Sequence, residues 1–130
     1  MTHGDVQRWV DRYVEAWKSY DPAAIGELFS EDAEYRYHPW DEPVRGREAI
    51  VADWITPDGD ASSRDAAGTY DASFEAWAVE GSRAVAVGMS DYFTDASRTT
   101  RDRRYHNVYL LEFDADGRCR SFTEYFIQQR

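Results

Sequence analysis

Two side chains far apart in the chain have the right chemistry for moving a proton. In the stretch SFTEYFIQ, Phe122, Glu124 and Phe126 fall on one face of a strand, because successive side chains alternate. A carboxylate between two phenylalanines loses hydration, so its pKa rises and it becomes a proton acceptor near neutral pH. A lone charge in an apolar stripe needs a purpose or a partner. The alternatives are a structural pairing with an arginine or a strand in the opposite register. His38 is the second candidate. It precedes Pro39, where a strand must end, and its ordinary pKa near neutrality suits a general base. A histidine bonded to a neighbouring carbonyl or carboxylate is the structural alternative.

Other polar groups are placed by the same alternation. Tyr105, Asn107 and Tyr109 share one face of their strand, and His106, Val108, Leu110 and Glu112 the other. Glu112, beside a turn, marks the second face as the outer one. Asn107 and Tyr109 are therefore candidate hydrogen-bonding groups in a cavity. Around His38, Tyr35 and Tyr37 alternate with Arg36 and His38, so only one pair points inward unless Pro39 bends the strand. Tyr37 and His38 both stand as candidates, and the inward face of 33–38 stays open.

The elements that must hold these groups follow from periodicity. Val6, Trp9, Val10, Tyr13, Val14 and Trp17 form one helical stripe over 5–19, started by Asp5 or Thr2. Asp21-Pro22 opens a second helix over 22–29, with Ile25, Leu28 and Phe29 on one face and Ser30-Glu31-Asp32 ending it. AEYRYHPW reads as a short aromatic strand, and a third helix follows at 46–55, with Ile50 and Trp54 inward. Residues 56–68 read as a loop. Strands are expected at 70–79, 83–94, 103–113 and 118–128, with hairpin signals at Glu80-Gly81-Ser82 and Asp114–Gly117. Ala84, Ala86, Gly88 and Ser90 leave one face of the second strand open to close approach. Helices first and hairpin-spaced strands afterwards mean one α+β domain over 1–130.

Composition narrows the function classes. The chain has 130 residues, 42% of them hydrophobic and 15% aromatic, enough for a real core. A net charge of −10 excludes a broad basic face for nucleic acid or anionic lipid. The basic cluster Arg98, Arg101, Arg103 and Arg104 reads as a solvated turn, or less readily as an anion-binding lip. No apolar run is long enough to span a membrane, and MTHGDVQRW lacks a basic-then-apolar leader pattern, so a cytoplasmic protein is expected. Cys119, the single cysteine, reads as a small half-buried strand residue. Three histidines with no i, i+4 pair give no metal motif, and no phosphate loop or nucleophile elbow occurs, so neither a metal nor a cofactor is expected.

The run VDRYVEAW…DPAAIGELFSEDAEY…VRGREAI resembles the nuclear transport factor 2-like superfamily, which includes SnoaL-like polyketide cyclases and ketosteroid isomerases. The resemblance spans the chain, through LFSEDAEY, GREAI and the closing DGRCRSFTEYF, and YRYHPW with GRCRSFTEYF looks like an actinobacterial-type SnoaL-like branch. It implies a cone: three N-terminal helices over a strongly curved, mixed, mainly antiparallel sheet that encloses a pocket. It also implies homodimerisation through the outer sheet face. Matched to the steroid isomerases, the oxygen-binding tyrosine falls on Tyr13 and the base at or next to His38. The protonated aspartate falls near Tyr109. The "EYF" ending implies that the Glu124 face lines the cavity. Trp54 and Trp40 would form its apolar wall, whereas Trp9, Trp17 and Trp77 read as core.

Two functions from different classes follow. In one, the chain is a cofactor-free isomerase, cyclase or dehydratase acting on a small hydrophobic, carbonyl-bearing ligand. His38 and Glu124 are its acid/base groups, Tyr13 and Tyr109 its oxygen-binding donors, and Tyr37, Trp40, Trp54, Asn107, Phe122 and Phe126 its ligand contacts. In the other, it is a non-catalytic ligand-binding or dimerisation domain. The fold alone does not choose between them.

Overall fold

The computed structural model describes residues 1–60 and 65–130. Part of the expected 56–68 loop, 61–64, lies outside the described residues.

Helix α1 runs His3–Ser19. Thr2 caps it, and Asp5 returns a bond to the Thr2 backbone, the reciprocal capping box. Its apolar stripe is buried as the spacing predicts, from Val6 to Ala16. Tyr20 then closes the helix in the left-handed region at φ 52°. Helix α2 spans Pro22–Leu28, with the Asp21 carboxylate accepting from the Ala24 N–H. Strand β1, Phe29–Arg36, follows without a loop. The sequence reading ends the helix at 30–32, but these residues are strand and Phe29 is its first, fully buried side chain. Next come β2 (Val44–Arg45), α3 (Arg47–Ile55) and a short 3-10 turn (Pro57–Gly59). The long strands are β3 (Tyr70–Glu80), β4 (Arg83–Phe93), β5 (Arg101–Phe113) and β6 (Cys119–Gln128).

The six strands form one open mixed sheet in the order β2-β1-β6-β5-β4-β3. Only β1 and β6 run parallel, with Tyr35 beside Phe122. That pairing brings the aromatic strand next to the one that carries Glu124. On the inner face the register sets Tyr109 opposite Glu124, Asn107 opposite Phe126 and Gly88 opposite Asn107. The edge strand β3 is covered by α1. The Gln7 side chain donates to the Phe74 carbonyl at 2.9 Å and accepts from the Ala76 N–H at 2.8 Å, standing in for a neighbouring strand. Phe74 and Ala76 face inward, so at the point where the register shifts between Ala76 and Ala78 alternation turns Trp77 outward. It is 67% exposed, against the expectation of core packing.

The core is built largely of aromatic rings. Trp9 donates its indole N–H to the Leu28 carbonyl at 2.9 Å, and Tyr35 stacks on Phe122 with centroids 4.3 Å apart. The small-residue face of β4 admits Phe74, which stacks on Tyr109 at 4.5 Å. A Cβ on Gly88 would lie 2.2 Å from the Ser73 carbonyl oxygen and 2.6 Å from the Phe74 ring, so only glycine fits. Cys119 is fully buried, and burial pushes its thiol pKa up, so it is an inert core residue. Among the described residues no helix is long and apolar enough to cross a membrane.

Candidate functional site

A cavity of about 180 Å³ opens between the helices and the inner face of the sheet. Seven of the nine tyrosines line it: Tyr13, Tyr35, Tyr37, Tyr70, Tyr92, Tyr105 and Tyr109. Trp17 and Phe126 complete its aromatic wall, and Ser90, Asn107, Glu124, Asp65 and Arg103 are its remaining polar groups. Much of the wall is set by strand alternation. Tyr105, Asn107 and Tyr109 project from β5 as the sequence pattern requires, and Ser90 projects from the inner face of β4.

Glu124 is the carboxylate on the floor of this cavity. Its Oε2 accepts from Asn107 Nδ2 at 2.5 Å, and Asn107 Oδ1 accepts from the Ser90 hydroxyl at 3.0 Å. Asn107 lies diagonal to both in the β4–β5–β6 register, so one amide ties three strands together. Burial raises the Glu124 pKa, while the Asn107 bond and the charge of His38 pull it down. The balance is a carboxyl pushed up to about 7. The arginine-paired alternative for Glu124 is not what the described residues show, because its partner is a neutral amide.

Beside Glu124 the cavity is lined by a tyrosine cluster. The Tyr13 and Tyr35 hydroxyls are 2.7 Å apart and both residues are buried. Tyr109 packs against Tyr13 with centroids 5.2 Å apart. Burial, reinforced by the Glu124 charge, raises the pKa of Tyr13 and Tyr109, and burial with the neighbouring Tyr13 raises that of Tyr35. All three therefore stay protonated as hydroxyl donors. Tyr37 donates to Asp53 Oδ2 at 2.6 Å, which anchors the end of the aromatic strand to α3.

Of the residues at 33–38, Tyr35 and Tyr37 face the cavity, and His38 lines a neighbouring cleft that shares Asn107, Glu124 and Phe126. His38 stands outside the cavity wall. Its Nδ1 is 2.9 Å from Asp41 Oδ2, and its ring lies between Trp40 at 4.9 Å and Phe126 at 5.3 Å. It reaches Glu124 through its charge rather than by a hydrogen bond. The structural alternative for His38 thus describes its contacts. Trp40 is 79% exposed and packs on His38, and it borders this second, more apolar cleft with His38, Asn107, Glu124 and Phe126. Phe122 and Trp54 are core residues beneath the cavity lining. Trp54 borders a separate cleft shared with Tyr37 and Asp53, and its buried indole N–H has no hydrogen-bond partner among the described residues. Trp17, expected in the core, lines the cavity instead.

Sequence reasoning missed Tyr35, Tyr70, Tyr92, Tyr105, Ser90 and Arg103 as site residues. Tyr105 and Ser90 were legible, since each shares a strand face with a residue already placed inward. The basic cluster is neither a plain turn nor an open anion lip. Arg103 and Arg104 lie within β5, Arg104 grips Asp91 through two bonds of 2.6 and 3.0 Å, and Arg98 pairs with Asp71 at 3.3 Å. Among the described residues no group of His, Cys, Asp and Glu side chains is arranged to hold a metal ion.

Three helices against an open mixed sheet, with an aromatic cavity between them, make an α+β domain of the nuclear transport factor 2-like kind. The SnoaL-like domain model matches residues 10–122, and the chain belongs to that family, within the nuclear transport factor 2-like superfamily. No curated protein matches the chain.

Proposed function

We propose that this chain is a cofactor-free proton-transfer enzyme, an isomerase, cyclase or dehydratase acting on a small, hydrophobic, carbonyl-bearing compound. The observation that carries it is Glu124, a carboxyl pushed up to about 7 in a cavity that the Tyr13–Tyr35 hydroxyl pair also lines. A group with a pKa near the working pH both takes and returns a proton efficiently. The Glu124 carboxylate removes a proton from the carbon next to the carbonyl. The electron pair of that C–H bond moves into the carbonyl, and the enolate oxygen is held by Tyr13 and its neighbour Tyr109. Protonated Glu124 then returns the proton to the same or the conjugated carbon, so no atom or electron is gained or lost. Neutral, buried hydroxyl donors suit this task because they favour the charge only as it develops. His38, held by Asp41, acts on Glu124 from outside the cavity as a positioning residue.

The test is deuterium uptake next to the carbonyl of small aryl ketones in heavy water. Wild-type protein should catalyse it and Glu124→Gln should not. Equal uptake with both would overturn the reading.

A second, non-catalytic reading, a dimerising binding domain, has one observation in its favour. The outer sheet face leaves Leu110 42%, Tyr125 44% and Ile127 75% exposed, an apolar surface suited to a second copy. Dimerisation and catalysis are compatible, and a homodimer through this face belongs to the proposal. So does a cytoplasmic location.

A further inference from the structure

Arg103 stands at the cavity mouth, at the far end from Glu124 along β5 and β6. Its guanidinium lies over the Tyr92 ring at 4.5 Å from the centroid, which fixes the plane of the fork. Nε donates to Asp102 at 3.1 Å, one terminal nitrogen donates to Asp65 at 3.1 Å, and the other to the Tyr105 hydroxyl at 3.4 Å. A guanidinium has five N–H groups. Three are committed, so two have no partner among the described residues, one on each terminal nitrogen. The side chain is 36% exposed and lines the cavity, so these two donors are within reach of a bound molecule.

Charge decides what they read. One cation sits among Asp65, Asp102 and, deeper, Glu124. An incoming carboxylate would meet one positive group and at least two negative ones, on a chain of net charge −10. An uncharged oxygen acceptor collects the hydrogen bonds without that repulsion. Size sets the second limit. A cavity of about 180 Å³ is slightly larger than the roughly 150 Å³ apolar cavity that holds one benzene molecule, so it admits one ring with short substituents.

We propose that Arg103 is the specificity-determining residue of this cavity, and that the substrate is a one-ring-sized ketone carrying a second, uncharged oxygen at the mouth end. This rests on the assignment of the cavity as the reaction site. It adds a distinct claim about what the mouth recognises.

The test measures the affinity of the full chain for three probes by calorimetry: acetophenone, 4-acetylbenzamide and 4-acetylbenzoate. The amide should bind about tenfold more tightly than acetophenone, the gain expected of hydrogen bonds to a charged donor. The carboxylate should bind more weakly than the amide. Arg103→Met should erase the advantage of the amide over acetophenone, and Arg103→Lys should restore part of it. An amide no tighter than acetophenone, a carboxylate that binds tightest, equal weakening of all three probes by Arg103→Met, or no binding of any probe would each overturn the proposal. Glu124→Gln should keep the affinity order while losing deuterium uptake. Lost uptake with the order intact therefore bears on Glu124, and a lost order with uptake intact bears on Arg103.

Discussion

The side-chain amide of Asn107 donates to Glu124 across 2.5 Å, and the same amide accepts from Ser90 on the next strand. A buried carboxylate is therefore held by a neutral donor rather than by a cation. The difference matters because an arginine in that place would pull the carboxyl well below neutrality, whereas an amide leaves the effect of burial dominant.

Removing the amide should push the carboxyl higher still. Asn107→Leu is expected to move the pH at which kcat/KM for deuterium uptake half-rises above about 7, because the lost bond is one of the two influences that lower it. His38→Ala should move the same midpoint in the same direction by a smaller amount, since its charge is the smaller of the two. A pH–rate profile of each variant checks this. An unmoved midpoint in both would mean that neither residue acts through Glu124.

The elevated carboxyl also has a cost in stability with a defined sign. Glu124 titrates at about 7 in the folded protein against 4.5 ordinarily. Between those values the folded state binds the proton more tightly than the unfolded chain. Its contribution is thus fully present below pH 4.5 and lost as pH rises through about 7. The full loss is on the order of 3 kcal/mol for the displacement from 4.5 to about 7. Glu124→Gln should accordingly be more stable than the parent in urea at pH 8, with the gap closing toward pH 4. A gap of equal size at both pH values would rule out this origin.

Tyr13→Phe removes one of two hydroxyls that are 2.7 Å apart. Turnover should fall about 100-fold, the usual effect of losing one donor to a developing oxyanion. Stability should drop by only about 1–2 kcal/mol, because the Tyr35 hydroxyl still faces the cavity. Steady-state kinetics beside a urea melt separates the two effects. A large loss of stability with little loss of turnover would make the pair structural.

Gly88→Ala tests the packing beneath the site. The added methyl would overlap the Ser73 carbonyl and the Phe74 ring, which backs Tyr109. A destabilisation of about 1–3 kcal/mol is expected from overpacking of this kind, read as a lower urea midpoint. An unchanged midpoint would mean that the strands yield without strain.

The helices, the long strands and the inner faces of β5 and β6 were legible because each rests on local periodicity. The sites of misreading share one physical cause, the dependence of direction on a single residue of register. At β1 the helix passes straight into strand at Phe29, so the inward residues are Tyr35 and Tyr37, and His38 lines the neighbouring cleft. At β3 the inward residues are Phe74 and Ala76, which sends Trp77 between them and the turn to the surface. Arg103 shares the inward face of Tyr105, Asn107 and Tyr109, but its charged neighbours in sequence made it read as part of a turn. Glu124 needed no tertiary information, since two phenylalanines flank it on its own strand face.

The proton held by Glu124 is the point on which the functional account turns. A ¹³C-carboxyl NMR titration of the full chain, with the resonance assigned by its loss in Glu124→Gln, measures it directly. A midpoint near 7 is the expected result. A midpoint at the ordinary 4.5 would contradict the account, because burial would then not raise the one carboxyl on which it rests.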